Sequence, residues 1–238
     1  GENGLLQGYF DMLRVPYSCC GVLPAAITFN KFTCNQYLKG FGIRVAESLM
    51  IRKGHEVLNQ EIIGKVGLPC FIKPNLGGSS FGVTKVKEES QIQPALEKAF
   101  SEADEVIVEA FMDGIEITCG CYKTKSKEVV FPITEVVTKN EFFDYDAKYN
   151  GQVEEITPAR LPEELTERVQ LLTSAIYDIL GCSGIIRIDY IITESQKINL
   201  LEINTTPGMT PTSFIPQQIR AAGLDIKDVM TDIIEDKL

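Results

Sequence analysis

In the stretch "GIIRIDYII", residues 184–192, Arg187 and Asp189 alternate with Ile186, Ile188 and Tyr190, so in an extended chain both project from one face. In "LLEINTTPG", residues 200–208, Glu202 and Asn204 share a face in the same way. If these two strands pair, Asp189, Glu202 and Asn204 converge as three hard oxygen donors beside an arginine. Mg2+ prefers such a set, with phosphate oxygens and water completing its octahedron. A solvated polar face would also alternate, but strands this rich in Ile and Leu seldom gather Asp, Glu and Asn by accident.

A second group lies in "FIKPNLGGSSFGVTKV", residues 71–86. A plain hairpin needs two to five loop residues, typically Asn-Gly or Asp-Gly. This loop is longer, small and hydroxyl-rich, with Lys73 at its entrance. Gly77 and Gly78 let main-chain N–H groups converge on an anionic ligand, and Ser79 and Ser80 add donors. The plainer alternative is a surface hairpin. A Walker-type loop is excluded, because G-x-x-x-x-G-K-[ST] does not occur. In the third group, "EVIVEAFMDGIEIT", Glu109 ends one strand, Phe111 and Met112 supply apolar surface, and Glu116 begins the next strand. A connection of this kind, with free backbone groups and a carboxylate, could hold an adenine edge and a ribose hydroxyl; Glu-bounded strands with a Gly turn are also common without a ligand.

The elements that must position these groups follow from apolar spacing. Helical patterns run over residues 4–14, Val22–Phe29, from Lys31 to about Gly40, 55–67, about 88–101, 162–180 and 215–237. Strands are expected at 43–50, on both sides of the Gly/Ser loop, and at 105–111, 115–123, 128–136, 184–193 and 198–208. Residues 138–161 form a long polar and aromatic insertion without clean periodicity, the usual form of a functional lid or a disordered loop. Helices mixed with mostly antiparallel strands predict an α+β fold.

Bulk composition narrows the function. At 238 residues and 44% hydrophobic, the chain can bury a core of one or two domains. Its formal charge of −10 opposes nucleic acid and anionic lipid, so an anionic ligand needs a few focused cations. Seven cysteines without paired C-x-x-C spacing fit a reducing compartment, and Cys119 and Cys121 read as buried small hydrophobes. His55, the single histidine, sits in a polar stretch, so no histidine-based triad is expected. No apolar run spans a membrane, and no signal peptide is visible, which points to the cytoplasm. The chain opens at Gly1 directly in a helical pattern, which reads as the interior of a longer polypeptide.

Taken in order, the lysine before a Gly/Ser loop, E-x-F-M-x-G-x-E, R-x-D and E-x-N-T-x-P-G-M-T resemble the ATP-grasp superfamily. Within it, "GENGLLQG", "IKPNLGGSSFGV", "FFDYDAKY", "LGCSGIIRIDY" and "LLEINTTPGMTPTS" resemble the D-alanine–D-alanine ligase family over the whole chain. The resemblance implies two α+β lobes with antiparallel sheets clasping ATP: residues 31–114 with a phosphate flap, and 115–238 with a metal site and lid. Residues 1–30 would be the remnant of an N-terminal α/β substrate domain. It implies that Lys31 and Lys73 hold ATP phosphates and that Glu109, Met112 and Glu116 line the adenosine site. Asp189, Glu202 and Asn204 would carry two Mg2+ ions, with Mn2+ able to substitute. Ser79 would help orient substrate, and Lys148 and Tyr149 would belong to the lid. Arg187 and the backbone of Gly208 would stabilise the oxyanion of a tetrahedral intermediate, and Ser213 would hold the carboxylate of the second D-alanine. A homodimer acting on D-alanine, in peptidoglycan precursor synthesis, is the implied assembly.

The pattern departs from the family at Asn75-Leu76-Gly77, where a charged residue often precedes Gly-Ser-Ser, and at Phe214, where leucine is common. Among rivals, a biotin-dependent carboxylase subunit would carry an Arg-x-Gln-Val-Glu-His run where this chain has "INTTPGMT". A D-alanine–D-lactate ligase typically lacks the Lys148-Tyr149 pair. Another ATP-grasp carboxylate–amine ligase, and an ATP-binding fragment inactive in ligation, complete the alternatives.

Overall fold

The computed structural model describes residues 1–78, 81–138 and 153–238. The chain divides into two compact units. One contains Asn30–Asp113; the other contains Gly1–Phe29, Gly114–Val137 and Glu154–Leu238.

In the first unit the described residues form an antiparallel sheet of order β1 (Ser48–Arg52), β4 (Glu105–Ala110), β2 (Cys70–Pro74), β3 (Thr84–Val86). Helices α4 (Asn59–Val66) and α5 (Ile92–Glu102) pack on it. They bury Ile62, Ile92 and Leu96 with Ile51, Ile72, Val86, Val106 and Val108 of the strands. Helix α3 (Lys31–Lys39) starts where the Asn30 side chain accepts a hydrogen bond from the Thr33 N–H at 2.9 Å, capping an otherwise orphaned donor.

In the second unit the sheet order is β10 (Ile198–Asn204), β9 (Ile186–Ile192), β5 (Ile115–Lys123), β7 (Thr134–Thr138), β8 (Val153–Ile156), with β6 (Glu128–Val130) also paired to β5. Helices α1 (Leu5–Leu13), α2 (Val22–Phe29), α6 (Glu163–Leu180), α7 (Phe214–Ala221) and α8 (Ile226–Glu235) complete it. Along α6, Leu165, Val169, Thr173, Ile176, Tyr177 and Leu180 are buried, the stripe that a 3.6-residue period places on one face. The expected α+β class with antiparallel sheets is the one observed.

Several boundaries differ from the expected ones. The strand expected over 43–50 begins at Ser48, because its partner β4 runs only from Glu105 to Ala110 and the ladder ends at Ser48 opposite Glu109. Helix α4 starts at Asn59, not near His55, because the Leu58 N–H donates to the Glu61 carboxylate and sets the first turn there. The strand expected over 128–136 is two strands, since Pro132 lacks an N–H for the ladder. Residues 153–156, within the expected insertion, form β8. The C-terminal helical run is split after Ala221, and Asp225 caps a new helix by accepting from the Lys227 N–H at 2.8 Å.

Candidate active site

Strands β9 and β10 pair antiparallel with Asp189 opposite Glu202 and Arg187 opposite Asn204. A β-bulge between Leu200 and Glu202 makes this possible. Strict alternation along β10 would put Glu202 and Asn204 on the face of Ile198 and Leu200, which are buried; the extra residue moves them to the other face.

Around Asp189 the polar contacts are dense. Arg187 donates through Nε and Nη2 to the two carboxylate oxygens, each at 2.9 Å. The Thr118 hydroxyl donates to Asp189 Oδ1 at 2.6 Å, and the Asn204 amide to Oδ2 at 3.2 Å. Burial works against the Arg187 charge, but the carboxylates of Asp189, Glu202 and Glu116 outweigh it and raise its pKa above the ordinary value. The guanidinium also lies 5.3 Å from the ring centre of Phe214, a cation–π arrangement. Asp189, Glu202 and Asn204 are thus brought together as two carboxylates and an amide, a donor set of the right hardness for a divalent cation. Among the described residues, no group of three or more His, Cys, Asp or Glu offers another metal site.

Gly208 and Ser213 also meet. A side chain added at Gly208 would place its Cβ 2.9 Å from the Ser213 hydroxyl, so the hydroxyl would have to turn away from its present position. That hydroxyl lies 2.7 Å from Thr210 Oγ1, and the Ser213 N–H donates to the Thr210 carbonyl at 2.8 Å. The turn holds Ser213 at the N-cap of α7. Glu116 stands half-buried on β5, opposite Val136 and Ile191.

In the unit of residues 30–113, Lys73 and Glu109 are diagonal neighbours on β2 and β4 and form an ion pair at 2.5 Å, with side chains only 13% and 7% exposed. Asn35 donates to the other Glu109 oxygen at 2.8 Å. Lys31 donates through Nζ to the Gly77 carbonyl at 2.5 Å, anchoring the entrance of the Gly/Ser loop. Phe111 packs at 6.0 Å from Phe71 between ring centres, and the Lys85 ammonium sits 3.9 Å over its ring. Met112 is half-buried at the end of this unit. Ser79, Lys148 and Tyr149 lie outside the described residues.

Sequence reasoning missed three residues here. Thr118 sits opposite Asp189 on β5. Asn35 joins the Lys73–Glu109 pair from α3. Asn75, only 1% exposed, accepts from the Phe32 N–H at 2.9 Å and donates to Asn30 at 3.1 Å and Glu105 at 3.0 Å. It joins the base of the loop to the start of α3. The one sequence signal for Asn75 was its place as the departure from the family pattern.

A family model described as D-ala D-ala ligase C-terminus matches residues 37–235. The D-alanine–D-alanine ligase of Phocaeicola vulgatus is 79% identical over 237 residues, covering 100% of this chain and 73% of the relative. The crystal structure of the VanG D-Ala:D-Ser ligase from Enterococcus faecalis matches with a TM-score of 0.88 at 33% identity, covering 100% of this chain and 70% of that one. The D-alanine–D-alanine ligase from Bacillus anthracis complexed with ATP matches with a TM-score of 0.85 at 31% identity, covering 100% and 75%.

Proposed function

The chain belongs to the D-alanine–D-alanine ligase family, and on that premise we propose that it joins two D-alanines into D-alanyl-D-alanine at the expense of ATP, for peptidoglycan precursor synthesis. The observation that carries the reading is the Arg187–Asp189–Thr118–Asn204 network beside Glu202, built on strands whose motifs are those of the family.

A carboxylate is anionic and a poor electrophile. Transfer of the ATP γ-phosphoryl group to the carboxylate of the first D-alanine forms an acyl phosphate and releases ADP. The neutral amine of the second D-alanine attacks the acyl carbon, and the tetrahedral adduct collapses with loss of phosphate and a proton. Such chemistry needs positioning and charge neutralisation, and no nucleophilic side chain.

In this reading Lys31 and Lys73 bind ATP phosphates, and Glu109, Met112 and Glu116 receive the adenosine. Arg187, held flat by both oxygens of Asp189, offers its remaining N–H donors with the Gly208 N–H to the developing oxyanion. Ser213 holds the acceptor carboxylate. Asp189, Glu202 and Asn204 would hold two Mg2+ ions, with Mn2+ an acceptable substitute. When bound, such ions would supply positive charge beside the transferring phosphate. Ser79, Lys148 and Tyr149 complete the proposal as substrate-orienting and lid residues. No helix among the described residues is long and apolar enough to cross a membrane; a cytoplasmic homodimer belongs to the same reading.

The test is D-alanine-dependent release of ADP together with recovery of the dipeptide; ATP turnover indifferent to D-alanine overturns the reading. Glu202→Gln supplies the metal arm. Calorimetry with saturating Mg2+ is expected to show ATP affinity at least tenfold weaker at unchanged melting temperature. Unaltered affinity would remove Glu202 from the metal set.

A further inference from the structure

We propose that Gln218 is a positioning residue for the acceptor: its buried amide ties the helix that begins after Ser213 to the strand whose Thr118 holds Asp189. The inference rests on the reading of Ser213 as the acceptor-carboxylate residue.

Strand β5 has a gap along one edge. On one side β5 pairs with β9 from Ile115 to Cys121. On the other side it pairs with β7 over Glu116–Thr118 and with β6 over Cys121–Lys123. Between those partners the chain passes through Phe131-Pro132-Ile133. The Phe131 N–H still donates to the Gly120 carbonyl at 2.9 Å. Pro132 has no N–H, and the ladder lapses between the Thr118–Thr134 and Cys121–Val130 pairs. An open ladder in a buried sheet leaves an N–H and a C=O to be satisfied by other means.

Gln218 fills the gap as a surrogate peptide group. Its Oε1 accepts from the Gly120 N–H at 2.9 Å, and its Nε2 donates to the Thr118 carbonyl at 3.0 Å. The second Nε2 hydrogen goes to Thr134 Oγ1 at 3.1 Å. The residue is 0% exposed on a helix face otherwise made of Ile215, Pro216 and Ile219. The helix can come this close only because position 120 is glycine: a Cβ there would stand 2.4 Å from Ile215 Cδ1 and 2.8 Å from Gln218 Oε1.

Both ends of this link lead into the site. Thr118 donates to Asp189 at 2.6 Å. Helix α7 carries Ser213 at its cap and Phe214, whose ring faces Arg187. If the amide link is removed, β5 stays in place, because its ladder to β9 is continuous across the site. The helix has no such ladder, so the displacement falls on Ser213 and Phe214. A misplacement of about 1 Å can cost roughly a hundredfold in rate, and here it would fall on acceptor binding.

The experiment is steady-state ligation kinetics on the full-length protein with Gln218→Met, which keeps length and volume and loses the amide. The expected result is a rise of about tenfold in the KM of the acceptor D-alanine, with the KM of ATP and of the first D-alanine within about twofold. Thr134→Val, which removes one of the three bonds together with the 2.6 Å contact between the Thr134 and Thr157 hydroxyls, is expected to give a two- to threefold rise in the same constant, and Thr157→Val, which removes only the latter, to leave it unchanged. A folded Gln218→Met protein with unchanged acceptor KM, or with all three constants shifted alike, overturns the proposal. If Gln218→Met does not fold, Thr134→Val decides by the same criterion. Ser213→Ala runs alongside: a raised acceptor KM there, with none in Gln218→Met, refutes the positioning role alone, whereas no rise in Ser213→Ala refutes the assignment of Ser213 itself.

Discussion

Lys73 carries two burdens. Its ammonium is placed to meet phosphate in the proposed reaction, yet it is also the partner of a Glu109 carboxylate whose side chain is 7% exposed. Removing one member of a buried pair strands the other charge, so Lys73→Met is expected to lower stability by about 3 kcal/mol as well as weakening ATP binding. Glu109→Gln in the same chain removes the stranded charge, and Asn35 remains as its partner. Denaturant titration of the double variant should therefore recover most of the lost stability, while calorimetry should find ATP affinity still low. A double variant that regains ATP affinity would take Lys73 off the nucleotide; a Lys73→Met protein as stable as wild type would show that the pair bears no structural load.

Between elements, long-range polar links do what the ladders leave undone. Strand β7 is tied to the segment after β8 by Arg160, which donates to both oxygens of Glu135 at 2.9 and 2.6 Å. Hydrogen bonding to Arg160 holds the Glu135 carboxyl below its ordinary value of 4.5. An acid whose folded pKa is depressed adds stability that is full above its unfolded pKa and fades as the pH falls through the folded value. The difference in melting temperature between wild type and Arg160→Gln should accordingly be largest near neutral pH and shrink below about pH 4.5 as Glu135 protonates. A difference that holds constant down to pH 3 would mean that Arg160 acts by packing alone. How far such links were legible varies. The helices over Val22–Phe29 and Glu163–Leu180 follow from spacing within the segment, whereas the division of β6 from β7 needed Pro132 to be weighed against an otherwise strand-like run.

Across the whole molecule, none of the seven cysteines forms a disulfide; burial suppresses the reactivity of most, while a hydrogen bond with Cys182 lowers the pKa of Cys20. Desolvation pushes Cys119 and Cys121 up to about 12 and Cys70 to about 11, so almost no thiolate forms on them near neutral pH. Cys20 and Cys34 are buried as well, and only Cys19 and Cys182 are partly exposed. A chromogenic disulfide reagent at pH 8 should therefore titrate no more than two thiols rapidly in the native protein and seven after denaturation. More than two fast thiols would show that the packing around at least one buried cysteine opens readily. The net charge of −10 gives the same scale a second meaning: an anionic ligand meets a repelling background and needs local cations to hold it.

The amino-acid sequence by itself determined the α+β class, the order of most elements and the polar alternation of Arg187 with Asp189 and of Glu202 with Asn204. Those properties are local: a period of two or 3.6 residues is visible within a short window. Tertiary structure decided the rest. Alternation alone would have left Glu202 and Asn204 on the face of Leu200, and the bulge that carries them across to Asp189 exists only once β10 is paired with β9. Thr118 reaches Asp189 across 71 residues of sequence, Asn75 reaches the Phe32 N–H across 43, and Gln218 reaches the Thr118 carbonyl across 100. A buried donor or acceptor takes whichever partner the folded chain brings within about 3 Å. For these residues that partner lies on another element, where no local pattern could have pointed.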